Sequence, residues 1–201
     1  MIAGGAIPGN GSIDVIQYIT IAQQADFVDF GDLSKGRRGC SAMTNQTRFV
    51  VAGGYNDPDS ARTNVMDFVT IASTGNAVDF GDISVAKNNC GGTQSPTRGV
   101  ISNGGTSPGI NVIEFITIAS TGNSQDFGDS TKISAESFGC GNSTRGIFFH
   151  GVFPSPEVKT NVIDFITIAT KGNATNFGDN TYLCQHSMAL SDSTRAVCAG
   201  G

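Results

Sequence analysis

The feature that most constrains this chain is a nine-residue phrase that occurs four times. Asn64-Val-Met-Asp-Phe-Val-Thr-Ile-Ala72 returns as Asn111-Val-Ile-Glu-Phe-Ile-Thr-Ile-Ala119 and as Asn161-Val-Ile-Asp-Phe-Ile-Thr-Ile-Ala169. A divergent first copy is Asp14-Val-Ile-Gln-Tyr-Ile-Thr-Ile-Ala22. Nine residues beyond each closing alanine stands the glycine of a Phe-Gly-Asp triplet, at Gly31, Gly81, Gly128 and Gly178. Fifteen residues beyond the triplet aspartates Asp32, Asp82, Asp129 and Asp179 come Thr-Arg pairs, giving Arg48, Arg98, Arg145 and Arg195. Such a period marks a stack or ring of equivalent units, none of which can bury its apolar face alone.

Alternation and turn chemistry divide each unit into four short strands, A to D. Strand B follows Thr-Arg, as in Phe49-Val-Val-Ala52, and stops at Gly53-Gly54, Asn103-Gly104, His150-Gly151 and Gly200-Gly201. Those residues tolerate the positive φ of a chain reversal, so His150 is expected to be a turn residue. Strand C is the nine-residue phrase, apolar on both faces and suited to a sheet lying between neighbours. A Thr-Gly-Asn turn then leads into strand D, which ends at Phe-Gly-Asp. Strand A lies before the next Thr-Arg and carries small residues at alternate positions: Cys40, Cys90, Ser137, Ser187, then Ala42, Gly92, Gly139, Ala189. Inner strands converging on the centre of a radial array would be crowded in this way.

The expected fold is therefore all-β: a β-propeller of four units of about 50 residues in one domain, 1–201. The units run over 33–82, 83–129 and 130–182, with 1–32 completed by 183–201. In that last unit the C-terminal strands close the first blade and remove its open edge. Length varies only between strands B and C: ten residues from Gly54 to Asn64, seven from Gly104 to Asn111, ten from Gly151 to Asn161. Fixed strands with one variable loop concentrate interaction diversity on one face.

A strand ending in Gly-Gly, a variable loop, an acidic-aromatic pair (Asp67-Phe68, Glu114-Phe115, Asp164-Phe165) and a shorter aromatic-bearing strand resemble kelch repeats. Phe80, Phe127 and Phe177 stand where kelch repeats carry tryptophan. The wording of the units is also similar to kelch-like repeats in virion structural and tail-associated proteins of marine bacteriophages. That resemblance implies a structural or adhesion role on a virion, with protein or glycan bound through the loops. An intracellular kelch-type scaffold and, less well supported, a kelch-like oxidase or lyase are the alternatives.

Composition narrows the partners. The net charge is −5 with a pI of about 4.8, and no basic stripe exists, which argues against a nucleic-acid partner. No apolar run approaches the ~20 residues of a membrane helix, and Met1 to Gly11 lacks the pattern of a signal peptide. Five cysteines without a CxxC pair read as free, mostly buried thiols. They fall at different offsets in their units, so a shared thiolate metal site is not expected.

No nucleophile elbow, P-loop, dinucleotide fingerprint or zinc-protease helix occurs, so neither catalytic residues nor a cofactor is expected. The four Thr-Arg arginines and four Phe-Gly-Asp aspartates recur too often for catalysis and read as structural pairs, bridging within or between blades, with each arginine offering its planar fork to carboxylate or backbone carbonyls. The candidate binding residues are Tyr55, Asn56, Asp57 and Asp59 in one variable loop and Phe153 in another. Either a monomer or a self-assembled ring is compatible with this pattern.

Overall fold

The computed structural model describes residues 1–106, 109–154, 157–183 and 185–200, and these form strands and turns with no helix. Three antiparallel sheets share the spatial order A-B-C-D. The second unit runs through Ser41–Thr44, Arg48–Ala52, Val65–Thr70 and Val78–Asp82, and the third through Gly91–Gln94, Arg98–Ser102, Val112–Thr117 and Gln125–Asp129. The fourth comprises Glu136–Gly141, Arg145–Pro154, Val162–Thr167 and Thr175–Asp179, with Glu157–Lys159 added to the end of its strand B. Register repeats from sheet to sheet: Phe68 pairs with Val50, Phe115 with Val100, Phe165 with Ile147.

A β-bulge recurs between strands C and D. Met66 pairs with Gly81 and Asp67 with Asp79, which leaves Phe80 as the extra residue; Phe30, Phe127 and Phe177 hold the same place. A bulge re-aims the side chain it frees. Here it sets each phenylalanine edge-on to the aromatic residue of strand C, with centroids 5.8 to 6.1 Å apart. Such pairs add about 0.5–1.5 kcal/mol beyond the area they bury.

The core lies between successive sheets rather than within them. Met43, Val50, Met66 and Phe80 of the second unit pack with Ile101, Ile116 and Ile118 of the third. Val100, Ile113 and Phe127 of the third pack with Phe148, Ile166 and Ile168 of the fourth. Ile16 and Phe30 of the first unit meet Val51 and Val69 of the second. The apolarity of both faces of strand C follows from these contacts.

Backbone hydrogen bonds join the units as well. The Gly75 N–H donates to Phe30 O at 2.7 Å and the Ala77 N–H to Asp32 O at 2.8 Å. The Asp32 N–H donates in return to Asn76 Oδ1 at 3.1 Å. The same three-bond staple joins Asn123 to Asp82 and Asn173 to Asp129. The Thr-Gly-Asn turn is thus a clamp on the previous unit's Phe-Gly-Asp. Strands A lie side by side, and a Cβ on Gly92 or Gly139 would overlap the neighbouring strand A. Ala42 nonetheless faces solvent on the inner side, so the crowding acts between neighbours along the row and not on every inner side chain.

Two expectations are corrected. The C-terminal strands Met188–Ser191 and Ala196–Ala199 pair with each other and, among the described residues, do not join the first unit. That unit has three strands, Ile2–Ala3, Val15–Tyr18 and Val28–Asp32. Ile2 and Ala3 already pair with Gln17 and Ile16, so part of the edge that a closing strand needs is taken. His150 is not a turn residue either. Gly53, Gly54, Asn103 and Gly104 take positive φ, but His150 does not, and strand B runs on through it to Pro154.

Candidate functional site

The recurrent arginines and aspartates do not pair with each other: no ion pair among the described residues joins them. Arg48 lies over the Phe68 ring, 4.5 Å from its centroid, and donates to Ile118 O in the next unit at 3.1 Å. Arg98 does the same with Phe115 and with Ile168 O at 2.7 Å. Arg145 stacks on Phe165 in the same way, and no hydrogen bond from its guanidinium is found among the described residues. Arg48 and Arg98 therefore bridge units through carbonyls, while Asp32, Asp82 and Asp129 act through their backbone in the staple. Arg98→Ala is expected to cost about 2 kcal/mol, the sum of a ring contact and a charged hydrogen bond. Arg145→Ala should cost less than about 1 kcal/mol by the same reckoning. Urea denaturation of the two variants compares them directly.

The acid of each acidic-aromatic pair is buried beside an arginine, lysine or histidine side chain, which the sequence reading missed. Arg37 Nη2 meets Asp67 Oδ2 at 3.0 Å, Lys87 Nζ meets Glu114 Oε1 at 2.5 Å, and His150 Nε2 meets Asp164 Oδ2 at 2.9 Å. Each acid also holds the loop entering strand A: Ser34, Ser84 and Thr131 donate their N–H groups to Asp67, Glu114 and Asp164. Arg37 and Lys87 stand five residues after their Phe-Gly-Asp aspartate, and that place is Ser134 in the fourth unit. His150 supplies the missing partner there from strand B. The alignment contained this compensation, but nothing in it indicated that the acids point inward.

Burial alone would raise the Glu114 and Asp164 carboxyls. Lys87 with Ser124, and His150 with Thr131, outweigh it and hold both below their ordinary values of 4.5 and 3.8. A depressed acid contributes stability that is fully present above its unfolded-state pKa and is lost as pH falls through its folded-state value. Thermal melts should therefore fall in temperature as pH drops below about 4.5. A melting temperature unchanged down to pH 3 would contradict these assignments. Burial pushes the Cys40 and Cys90 thiols up to about 11, as expected of inert packing residues.

The candidate binding loop is largely spent on internal contacts. Asn56 is buried, donates to Gly36 O and accepts the Asp59 N–H. Asp57 receives a two-pronged contact from Arg38, which also lies over the Tyr55 ring, and its N–H donates to Ser12 Oγ. Asp59 pairs with Lys35. Phe153 pairs in register with Val158, and its side chain lies outside the described residues.

Beside this loop is a polar cleft of about 330 Å³. Arg62 borders it from the strand B–C hairpin Tyr55–Asn56/Ala61–Arg62, Asn88 and Asn89 from the next D–A loop, and Glu136, Gln185 and His186 from beyond. Arg62 Nε donates to Asn88 Oδ1 at 3.0 Å, and His186 Nδ1 lies 3.1 Å from Glu136 Oε1. None of these groups repeats at its position in every unit, so a search for recurring residues passes over them. Among the described residues no cluster of His, Cys, Asp and Glu could hold a metal ion.

No protein-family model matches the sequence, and no curated protein sequence matches it. The chain is similar in structure to YjhT at a TM-score of 0.73 and 11% identity, over 94% of this chain and 70% of that one. A likeness at that identity is one of fold alone.

Proposed function

We propose that the chain is a non-catalytic structural or adhesion module, an arc of kelch-like propeller blades that binds protein or glycan through its loop face. One contrast carries this reading. Most of the recurring charged groups are held in contacts within and between units, while the B–C connections vary and border a cleft of unrepeated polar side chains. The amides of Asn88, Asn89 and Gln185, with Arg62 and Glu136, offer the mixed donors and acceptors that a hydroxyl-rich ligand requires. A glycan is therefore the favoured ligand. The kelch-like wording of the repeats, similar to that of marine phage virion proteins, supports placing the module on a particle.

An oxidase or lyase would draw on clustered tyrosine and histidine, yet Tyr182 and His186 are exposed and the other three make internal contacts. Tyr18 packs on Phe30, Tyr55 lies under Arg38, and His150 is held by Asp164. Glycan-array screening of the full chain is expected to give selective binding that weakens at least about tenfold, or 1.4 kcal/mol, in Arg62→Ala or Gln185→Ala. Absence of binding to any glycan, together with capture of a protein partner unaffected by those changes, would replace this reading with that of a scaffold.

A further inference from the structure

The sequence contains two Asn-Gly pairs, Asn10-Gly11 and Asn103-Gly104, and the fold treats them oppositely. Asparagine is one of the chemically labile residues. A following glycine, having no Cβ, lets its own nitrogen come close to the asparagine side chain. At Asn103 that approach is blocked. The side chain is buried, and its Oδ1 accepts the Ser102 and Ser130 hydroxyls at 3.2 and 2.7 Å. Its Nδ2 donates to Lys132 O at 3.0 Å and lies 3.3 Å from His150 Nδ1. The Gly104 N–H is held as well, by Ser134 O at 3.2 Å.

Asn10 stands at the tip of the hairpin Ala6–Ile7/Gly11–Ser12, the B–C connection of the first unit. It is exposed, and its amide makes no hydrogen bond among the described residues. The exposure belongs to the tip itself. Asp59 and Ser60, at the tip of the matching hairpin of the second unit, are exposed too, although units flank that one on both sides. The returning strand, by contrast, is tied in. Ser12 Oγ accepts the Asp57 N–H at 3.0 Å and donates to Gly36 O at 3.3 Å. A Cβ on Gly11 would stand 3.2 Å from Asp57 Cβ. The labile pair therefore adjoins the contact by which one B–C hairpin holds the next.

We propose that Asn10 is a site of spontaneous deamidation, and that the modification loosens the neighbouring hairpin. The Gly11 nitrogen attacks Asn10 Cγ, the new N–Cγ bond forms as Cγ–Nδ2 breaks, and Nδ2 leaves as ammonia with the Gly11 proton. One water then opens the cyclic imide at either carbonyl, which gives aspartate or isoaspartate at position 10. Water is the sole co-reactant, and nothing is oxidised or reduced. Either product is a covalent change that adds one negative charge at the hairpin tip. Isoaspartate also inserts one carbon into the main chain ahead of Gly11. The pairings of Ile7 with Gly11 and of Ala6 with Ser12 then lose register, and Ser12 is drawn away from Asp57. Arg38 still holds the Asp57 carboxylate, so the second hairpin loosens without detaching. The inference rests on the two loops alone and is independent of the ligand proposed above.

The full chain aged in mildly alkaline buffer is expected to give aspartate and isoaspartate at position 10, with asparagine intact at 103, when its peptides are sequenced by mass spectrometry. Hydrogen exchange at the Asp57 amide should quicken about fivefold to tenfold in the aged chain, the protection that one hydrogen bond supplies. Asn10→Gln, aged in the same way, should keep the exchange rate of fresh protein. Asparagine that survives ageing at position 10, reaction at 103 as fast as at 10, or an Asp57 amide that exchanges alike before and after ageing overturns the proposal.

Discussion

Replacing Glu114 with alanine is expected to remove about 3–5 kcal/mol of stability, a large share of the roughly 5–15 kcal/mol typical of a domain. The carboxylate is 1% exposed and receives Lys87 Nζ, the Ser84 N–H and the Ser124 hydroxyl. Without it, Lys87 remains a buried ammonium with no counter-charge. The cost arises from that isolation and not from a large net worth of the pair, because desolvation offsets most of the Coulombic gain. A Lys87→Met, Glu114→Leu double variant should therefore recover most of the loss. Denaturant midpoints of the two singles and the double form a cycle that tests this. A double variant as unstable as the worse single would show instead that the acid's hold on the strand A loop dominates.

The second large effect separates backbone strain from close approach. Gly128 and Gly178 occupy equivalent bulges, with φ of +147° and +151°. Alanine at either site incurs strain of about 1–3 kcal/mol. Only at Gly128 does the new Cβ also overlap the backbone of Gly172 and Asn173, the turn that staples the fourth unit to the third. Gly128→Ala should thus cost about 1–3 kcal/mol more than Gly178→Ala, the price of overpacking. It should also speed hydrogen exchange at the Gly172 and Ala174 amides, which Gly178→Ala should leave alone. Equal costs for both would mean that the staple contributes little to joining the units.

Much of the fold was legible because its unit is repeated. Strands, their order within a sheet and the turns could be read from Thr-Arg, Gly-Gly and Phe-Gly-Asp, since four parallel copies average away local ambiguity. His150 was misread because its slot holds glycine or asparagine in the other units. Position in a repeat predicts backbone conformation only while the residue permits it, and the carboxylate at Asp164 drew this side chain inward. The internal contacts of Asn56, Asp57 and Asp59 were not legible for a related reason: their partners Gly36, Arg38 and Lys35 come from a different loop. The cleft was invisible, because it gathers residues from six separate segments of the chain whose proximity the sequence does not encode in any spacing.

The sequence by itself determined an all-β chain of equivalent units, their strand boundaries and the residues that recur between them. Periodicity and turn chemistry are local, and local rules suffice for them. Only the tertiary structure decided which recurrent residues meet: Arg48 and Arg98 with a carbonyl of the next unit, each buried acid with an arginine, lysine or histidine from whichever segment was free. It also decided that, among the described residues, the last strands pair with each other and not with the first unit. Those outcomes depend on distances between units far apart in the chain, and a pattern repeated along a line carries no information about where its ends will lie.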